Sequence, residues 1–156
     1  MIKIIDGDLL ESGADIICHQ VNCQGKMNSG VAKQIRLKYP EVYEEYMRLC
    51  NNSQNPKDLL GCAQRVSTKY GLPSIYNLFA QYNYGYDGAQ YTDTNALRKS
   101  LEQVYKTVKS IDIDLRVAMP YKIGCVRGGA NWDEVYAMIE EVFTDIDVEL
   151  WRLDKG

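Results

Sequence analysis

The chain has 156 residues, a formal net charge of −3 from 18 basic and 21 acidic side chains, and a hydrophobic fraction of 46%. That length suits one domain over residues 1–156, with surface enough to bury a core without staples. The balance excludes disordered, collagen-like and coiled-coil classes, and it lacks the basic footprint of a protein that grips long nucleic acid. A nucleotide-sized ligand stays open, since it needs only a local anion site.

No apolar run reaches the roughly 18 residues of a membrane span, so no membrane partner is expected. Asp6 meets the apolar N-terminus too early for a signal peptide. Cys18, Cys23, Cys50, Cys62 and Cys125 are odd in number and form no C-x-x-C pair. They read as reduced thiols of a cytoplasmic protein, not as a zinc or redox site. His19 is the only histidine, which excludes sites needing two. No metal or cofactor is expected.

In chain order, Ile2 to Ile5 reads as a short strand and Asp15 to Asn22 as a buried one. Ser29 to Tyr39 is helical, with Val31, Ile35 and Tyr39 spaced by four. Pro40 stops it, because its ring interrupts the hydrogen-bond ladder. A short helix follows over Glu41 to Leu49. The polar run 51–58 and the Tyr- and Gly-rich run 82–90 read as flexible loops. Strands are expected at Cys62 to Val66 and Ser74 to Ala80. Leu97, Leu101, Val104 and Val108 form the stripe of a helix over Thr92 to Ser110. Leu115 to Met119 is a strand stopped by Pro120. Asn131 to Phe143 is a helix with a capping-box start at Asn131 and Glu134, and Val148 to Leu153 is the last strand. About six strands interleaved with helices predict an α/β fold, with helices around a mixed sheet.

In such folds ligands sit outside the carboxyl ends of the strands. Two strand-to-helix loops lie there. The first runs Asn22-Cys23-Gln24-Gly25-Lys26-Met27-Asn28-Ser29-Gly30-Val31, and the second Ile123-Gly124-Cys125-Val126-Arg127-Gly128-Gly129. Small residues let a ligand approach the backbone, and a helix N-terminus offers free N–H groups to an anion. Side by side, the loops are suited to cradle a pyrophosphate. Glycine also serves strand-to-helix turns with no ligand at all, and neither loop matches the dinucleotide or P-loop pattern.

These residues resemble the macrodomain family of ADP-ribose-binding modules. The resemblance rests on Gly7-Asp8-Leu9, His19-Gln20-Val21-Asn22-Cys23-Gln24-Gly25, Ser29-Gly30-Val31-Ala32, Leu60-Gly61-Cys62, Met119-Pro120 and Ile123-Gly124-Cys125. It is similar to the branch holding the ADP-ribose-1''-phosphate phosphatase and the terminal ADP-ribose protein glycohydrolase. The resemblance implies a three-layer α/β/α fold with a central mixed sheet of about six strands. It implies ADP-ribose or a derivative as ligand, with ADP-ribosylated protein as a further partner. It places Asp8 at adenine with Leu9 beside it as a further ligand contact, Asn28, Ser29, Gly30 and Val31 at the diphosphate, and Gly124, Cys125, Val126, Arg127 and Gly128 at its other flank. Asn22 would face the distal ribose. His19 matches a phosphatase histidine, able to act as acid, base or phosphoryl acceptor near neutral pH. His19 and Asn22 are thus the candidate catalytic pair, and Trp151 is a candidate stacking partner for adenine. The glycohydrolase's lysine and aspartate fall on Gln81 and Gly128, which can supply neither an amine nor a carboxylate. The expected function is hydrolysis at the distal ribose, of the 1''-phosphate type. The alternatives are a reader that binds without turnover, or an ADP-ribosyl-protein glycohydrolase.

Overall fold

The structure is a computed structural model and describes residues 1–111 and 113–153. Six strands form one sheet: β1 (Ile2–Asp6), β2 (Ile16–Asn22), β3 (Ala63–Ser67), β4 (Ser74–Gln81), β5 (Val117–Pro120) and β6 (Val148–Arg152). Their order is β1-β6-β5-β2-β4-β3. Every neighbouring pair is parallel except β3 with β4. The carboxyl ends of five strands therefore share one edge of the sheet, where the α/β rule puts a ligand crevice.

Four helices cover the faces: α1 (Gly30–Lys38), α2 (Pro40–Asn52), α3 (Thr94–Ser110) and α4 (Trp132–Val142). The alternation of β2 shows how the layers are made. Ile16 and Cys18 pack with Leu97, Leu101, Val135 and Ile139 of α3 and α4. Ile17 and Val21 point the other way, into a second core with Ile35 of α1 and Val42 and Tyr46 of α2. Successive residues of a strand face opposite sides, so a strand buried on both faces feeds both cores. The result is the expected α/β/α sandwich with a six-stranded mixed sheet.

Boundaries shift by one to three residues, the most at the end of α2, which runs on from Leu49 to Asn52. Pro40 ends α1 and is also the first residue of α2, where its missing N–H costs nothing. The run 51–58 is less open than its composition suggests. It carries the end of α2 and a 3₁₀ turn at Pro56–Leu59, capped by Asn55 accepting from the Lys57 N–H. A second 3₁₀ turn at Leu9–Glu11 has no counterpart among the expected elements. Among the described residues no helix is long and apolar enough to cross a membrane.

Candidate functional site

A cavity of about 430 Å³ opens at the carboxyl edge of the sheet. Its floor is the end of β2, from His19 to Asn22, with Gln81 of β4. One wall is the first loop and the start of α1 (Asn28 to Ala32), the other is the second loop from Tyr121 to Gly128, and Tyr84 and Tyr86 of the 82–90 loop add to the lining. Of the residues expected at the ligand, His19, Asn22, Asn28, Ser29, Gly30, Val31, Gly124, Val126, Arg127 and Gly128 line this space.

The α1 wall is built to donate. Ser29 precedes the helix in extended conformation and makes no side-chain cap. The first N–H groups of α1 therefore keep their partial positive charge on the cavity side. Gly30 stands at φ +60°, with nothing within 4 Å of where a Cβ would be. Lys26, Lys122 and Arg127 also line the cavity, and among the described residues no aspartate or glutamate lines it. Arg127 stacks on the Tyr86 ring, 4.7 Å from its centroid, which ties the 82–90 loop to the second loop.

Four expected ligand residues lie outside the cavity lining. Asp8 follows β1 at the same sheet edge, but its Oδ1 accepts from the Leu10 N–H at 2.9 Å and caps the 3₁₀ turn. Leu9 is buried in the core beneath α1 and α2. Cys125 turns away and packs against the α3 and α4 core, its thiol reaching the Ile123 carbonyl. Trp151 is half-buried, its ring edge against Gly7 and its indole N–H donating to Glu149 at 2.9 Å. Asp87 and Asp93 serve local structure, the first accepting from Ala89 N and Tyr91, the second capping α3.

His19 is 1% exposed, and its Nε2 lies 2.6 Å from Asn77 Oδ1. Burial drives its pKa down to about 4, with the Asn77 hydrogen bond opposing only in part. The expected titration near neutrality is therefore corrected: the ring is neutral at pH 7, because charging it means desolvating a cation. Asn22 is consumed locally. Its Oδ1 accepts from Gln24 N, Lys26 N and the Tyr46 hydroxyl, and its Nδ2 donates to the Lys26 carbonyl. It shapes the first loop before it meets any ligand.

Gln81 and Gly128 do come together, as the family's lysine and aspartate would, but around other chemistry. Gln20 Nε2 donates to both Gln81 Oε1 and Thr92 Oγ1 at 2.7 Å, Thr92 donates to the Gly124 carbonyl, and Gln81 donates to the Asn83 carbonyl. A Cβ on Gly128 would lie 2.0 Å from Thr92 Oγ1 and 2.5 Å from the Gly124 carbonyl oxygen. Only glycine fits there.

Sequence reasoning passed over Gln20, Lys26, Thr92 and Tyr46. Gln20 carried a signal, as a polar side chain in an otherwise buried strand. Tyr46 carried none, since its helical spacing reads as packing. Its ring does pack, against Phe79, while its hydroxyl donates to Asn22.

Comparison with known proteins places this geometry. Over 182 aligned residues the chain is 35% identical to the ADP-ribose 1''-phosphate phosphatase of Saccharomyces cerevisiae, covering 97% of this chain and 98% of that one. It is 26% identical to the DNA ADP-ribosyl glycohydrolase of Thermus aquaticus over 159 residues, 97% of this chain and 40% of the relative, so it spans under half of that protein's length. The solved structure described as Thermosipho africanus DarTG in complex with ADP-ribose superimposes with a TM-score of 0.80 at 17% identity, over 99% of this chain and 42% of that one. Residues 18–139 match the Macro domain family, and with the fold and the cleft between the two loops this chain belongs to that family.

Proposed function

We propose that this chain binds ADP-ribose or a derivative of it and hydrolyses at the distal ribose, in the manner of an ADP-ribose-1''-phosphate phosphatase. One observation carries the reading: an uncapped helix N-terminus and three cationic residues line a cavity to which, among the described residues, no carboxylate contributes, in a chain whose net charge is negative. Such a space selects an anion placed between two backbone walls, and a diphosphate suits it. The phosphatase reading is favoured over the glycohydrolase one by the yeast relative, which aligns along its whole length. The crowding at Gly128 also removes the place for a lysine–aspartate pair.

A second reading is an ADP-ribosyl glycohydrolase acting on protein or DNA, supported by the name of the Thermus aquaticus relative. On this reading Lys26 or Lys122, both lining the cavity, would have to supply what Gln81 does not. Asp8, Leu9 and Trp151 remain proposed ligand contacts beyond the cavity rim, Asp8 and Trp151 at the adenine, and Cys125 remains a proposed contact on the second diphosphate loop. His19 and Asn22 remain the proposed catalytic pair.

Calorimetry with ADP-ribose tests binding, and phosphate release from ADP-ribose 1''-phosphate tests turnover. His19→Ala is expected to lower that rate by about 100-fold, the usual contribution of a proton-accepting group. Between pH 5.5 and 8 the wild-type rate should show no inflection from His19. Tight binding without phosphate release favours the reader, and unchanged turnover in the variant removes His19 from the mechanism.

A further inference from the structure

A chain of side-chain hydrogen bonds leads from the cavity floor to α2. It ends at the backbone carbonyl of Glu45, a group that can only accept. Gln64 Nε2 donates to that carbonyl at 3.1 Å, which turns Gln64 Oε1 toward β4. Asn77 Nδ2 donates to Gln64 Oε1 at 3.0 Å, which turns Asn77 Oδ1 toward His19. That oxygen lies 2.6 Å from His19 Nε2. An amide oxygen has no hydrogen to give, so the bond requires one on Nε2. The terminal carbonyl thus sets the direction of every link, and with it the tautomer of the ring.

A neutral imidazole has one N–H. With Nε2 protonated, Nδ1 is a bare lone pair. Nδ1 is buried and has no hydrogen-bond partner among the described residues, while His19 lines the cavity floor. A buried acceptor left unmet is costly, and a donor arriving in the cavity would recover that cost.

We propose that Asn77 and Gln64 are positioning residues that hold His19 as the Nε2–H tautomer, so that Nδ1 accepts a hydrogen bond from a hydroxyl of the ligand's sugar. This rests on the reading of the cavity as a site for an ADP-ribose-type ligand. It gives His19 a definite sense. The ring takes a hydrogen from a hydroxyl and does not present one to a phosphoryl oxygen. The chemistry at that point of the floor is complementary to the donor-rich walls: anion to the amides and cations, hydroxyl to the lone pair.

Because His19 is the only histidine, a ¹⁵N spectrum of the histidine-labelled protein contains one imidazole and needs no assignment. The first measurement is made on the free protein at pH 7. A protonated Nε2 and a pyridine-like Nδ1 are expected, and the opposite pattern overturns the proposal. Gln64→Met lies on the partly exposed edge strand β3 and releases the Asn77 amide. It is expected to populate the Nδ1–H form, whereas an unchanged spectrum removes Gln64 from the device. The second measurement adds ADP-ribose, with calorimetry on the same sample. Movement of the Nδ1 signal toward the hydrogen-bonded range supports the contact. Heat of binding with an unmoved Nδ1 overturns it and leaves the ligand reading standing. Absence of heat overturns the ligand reading, and the contact with it, while the free-protein spectrum still decides the role of Asn77 and Gln64.

Discussion

His19 shows what burial does to a single side chain. Its folded pKa of about 4 lies below the ordinary value of 6.5. The unfolded chain therefore binds the proton more readily than the folded one. The stability from keeping the ring neutral is present above pH 6.5 and is lost as pH falls toward 4. At about 1.4 kcal/mol per pH unit, the full loss is about 3 kcal/mol. Urea unfolding at pH 7 and pH 4.5 should show a steeper loss for the wild type than for His19→Gln, in which no ring titrates. Equal slopes would mean that the imidazole is not held neutral. Tyr46 is the other residue whose polar atom matters more than its spacing suggests. Its hydroxyl is buried and donates at 2.7 to 2.8 Å to Asn22, at the root of the first loop. Tyr46→Phe keeps the ring packing and removes the donor, and should cost about 1–2 kcal/mol in a denaturant titration. A loss under 0.3 kcal/mol would show that Asn22 is already satisfied by Gln24 and Lys26.

At the scale of elements, α1 and α4 differ in how they begin. Asn131 caps α4 by accepting from the Glu134 N–H, so its orphan donors are partly used. The start of α1 has no such cap and lines the cavity. Gly30→Glu puts a carboxylate there, in open space but at a backbone angle that side chains rarely adopt. The strain costs about 1 kcal/mol, partly offset by the charge at a helix N-terminus. Circular dichroism should be unchanged and ADP-ribose binding lost. Retained affinity would mean that the anion does not sit at this helix end.

Across the whole molecule, charge is unevenly spent. The net charge is −3, yet the cavity is lined by Lys26, Lys122 and Arg127 and, among the described residues, by no carboxylate. All three cations are exposed enough to be screened by salt. ADP-ribose affinity should fall roughly 3–10-fold between low salt and 0.5 M, by analogy with other screened surface attractions. Lys26→Gln with Arg127→Gln should flatten that dependence, measured by calorimetry at several salt concentrations. A salt-independent affinity would assign recognition to the backbone amides alone.

Much of this was legible in the chain itself. Apolar spacing located the helices, because a stripe every three or four residues has only one way to reach a core. Buried runs located the strands, and the position of two small-residue loops after β2 and β5 marked the ligand edge. Local pattern reaches that far because each of those features is decided within a few turns of chain. What it could not reach depends on residues far apart in sequence meeting in space. Asp8 and Trp151 stand at the right edge of the sheet but outside the cavity lining, a matter of strand order. The crowding of Gly128 by Thr92 and Gln20 exists only once three segments pack together. The protonation of His19 is fixed from Glu45 through Gln64 and Asn77, on three other elements. Hydrogen-bond direction and desolvation are properties of the packed interior, so only the tertiary structure decided them.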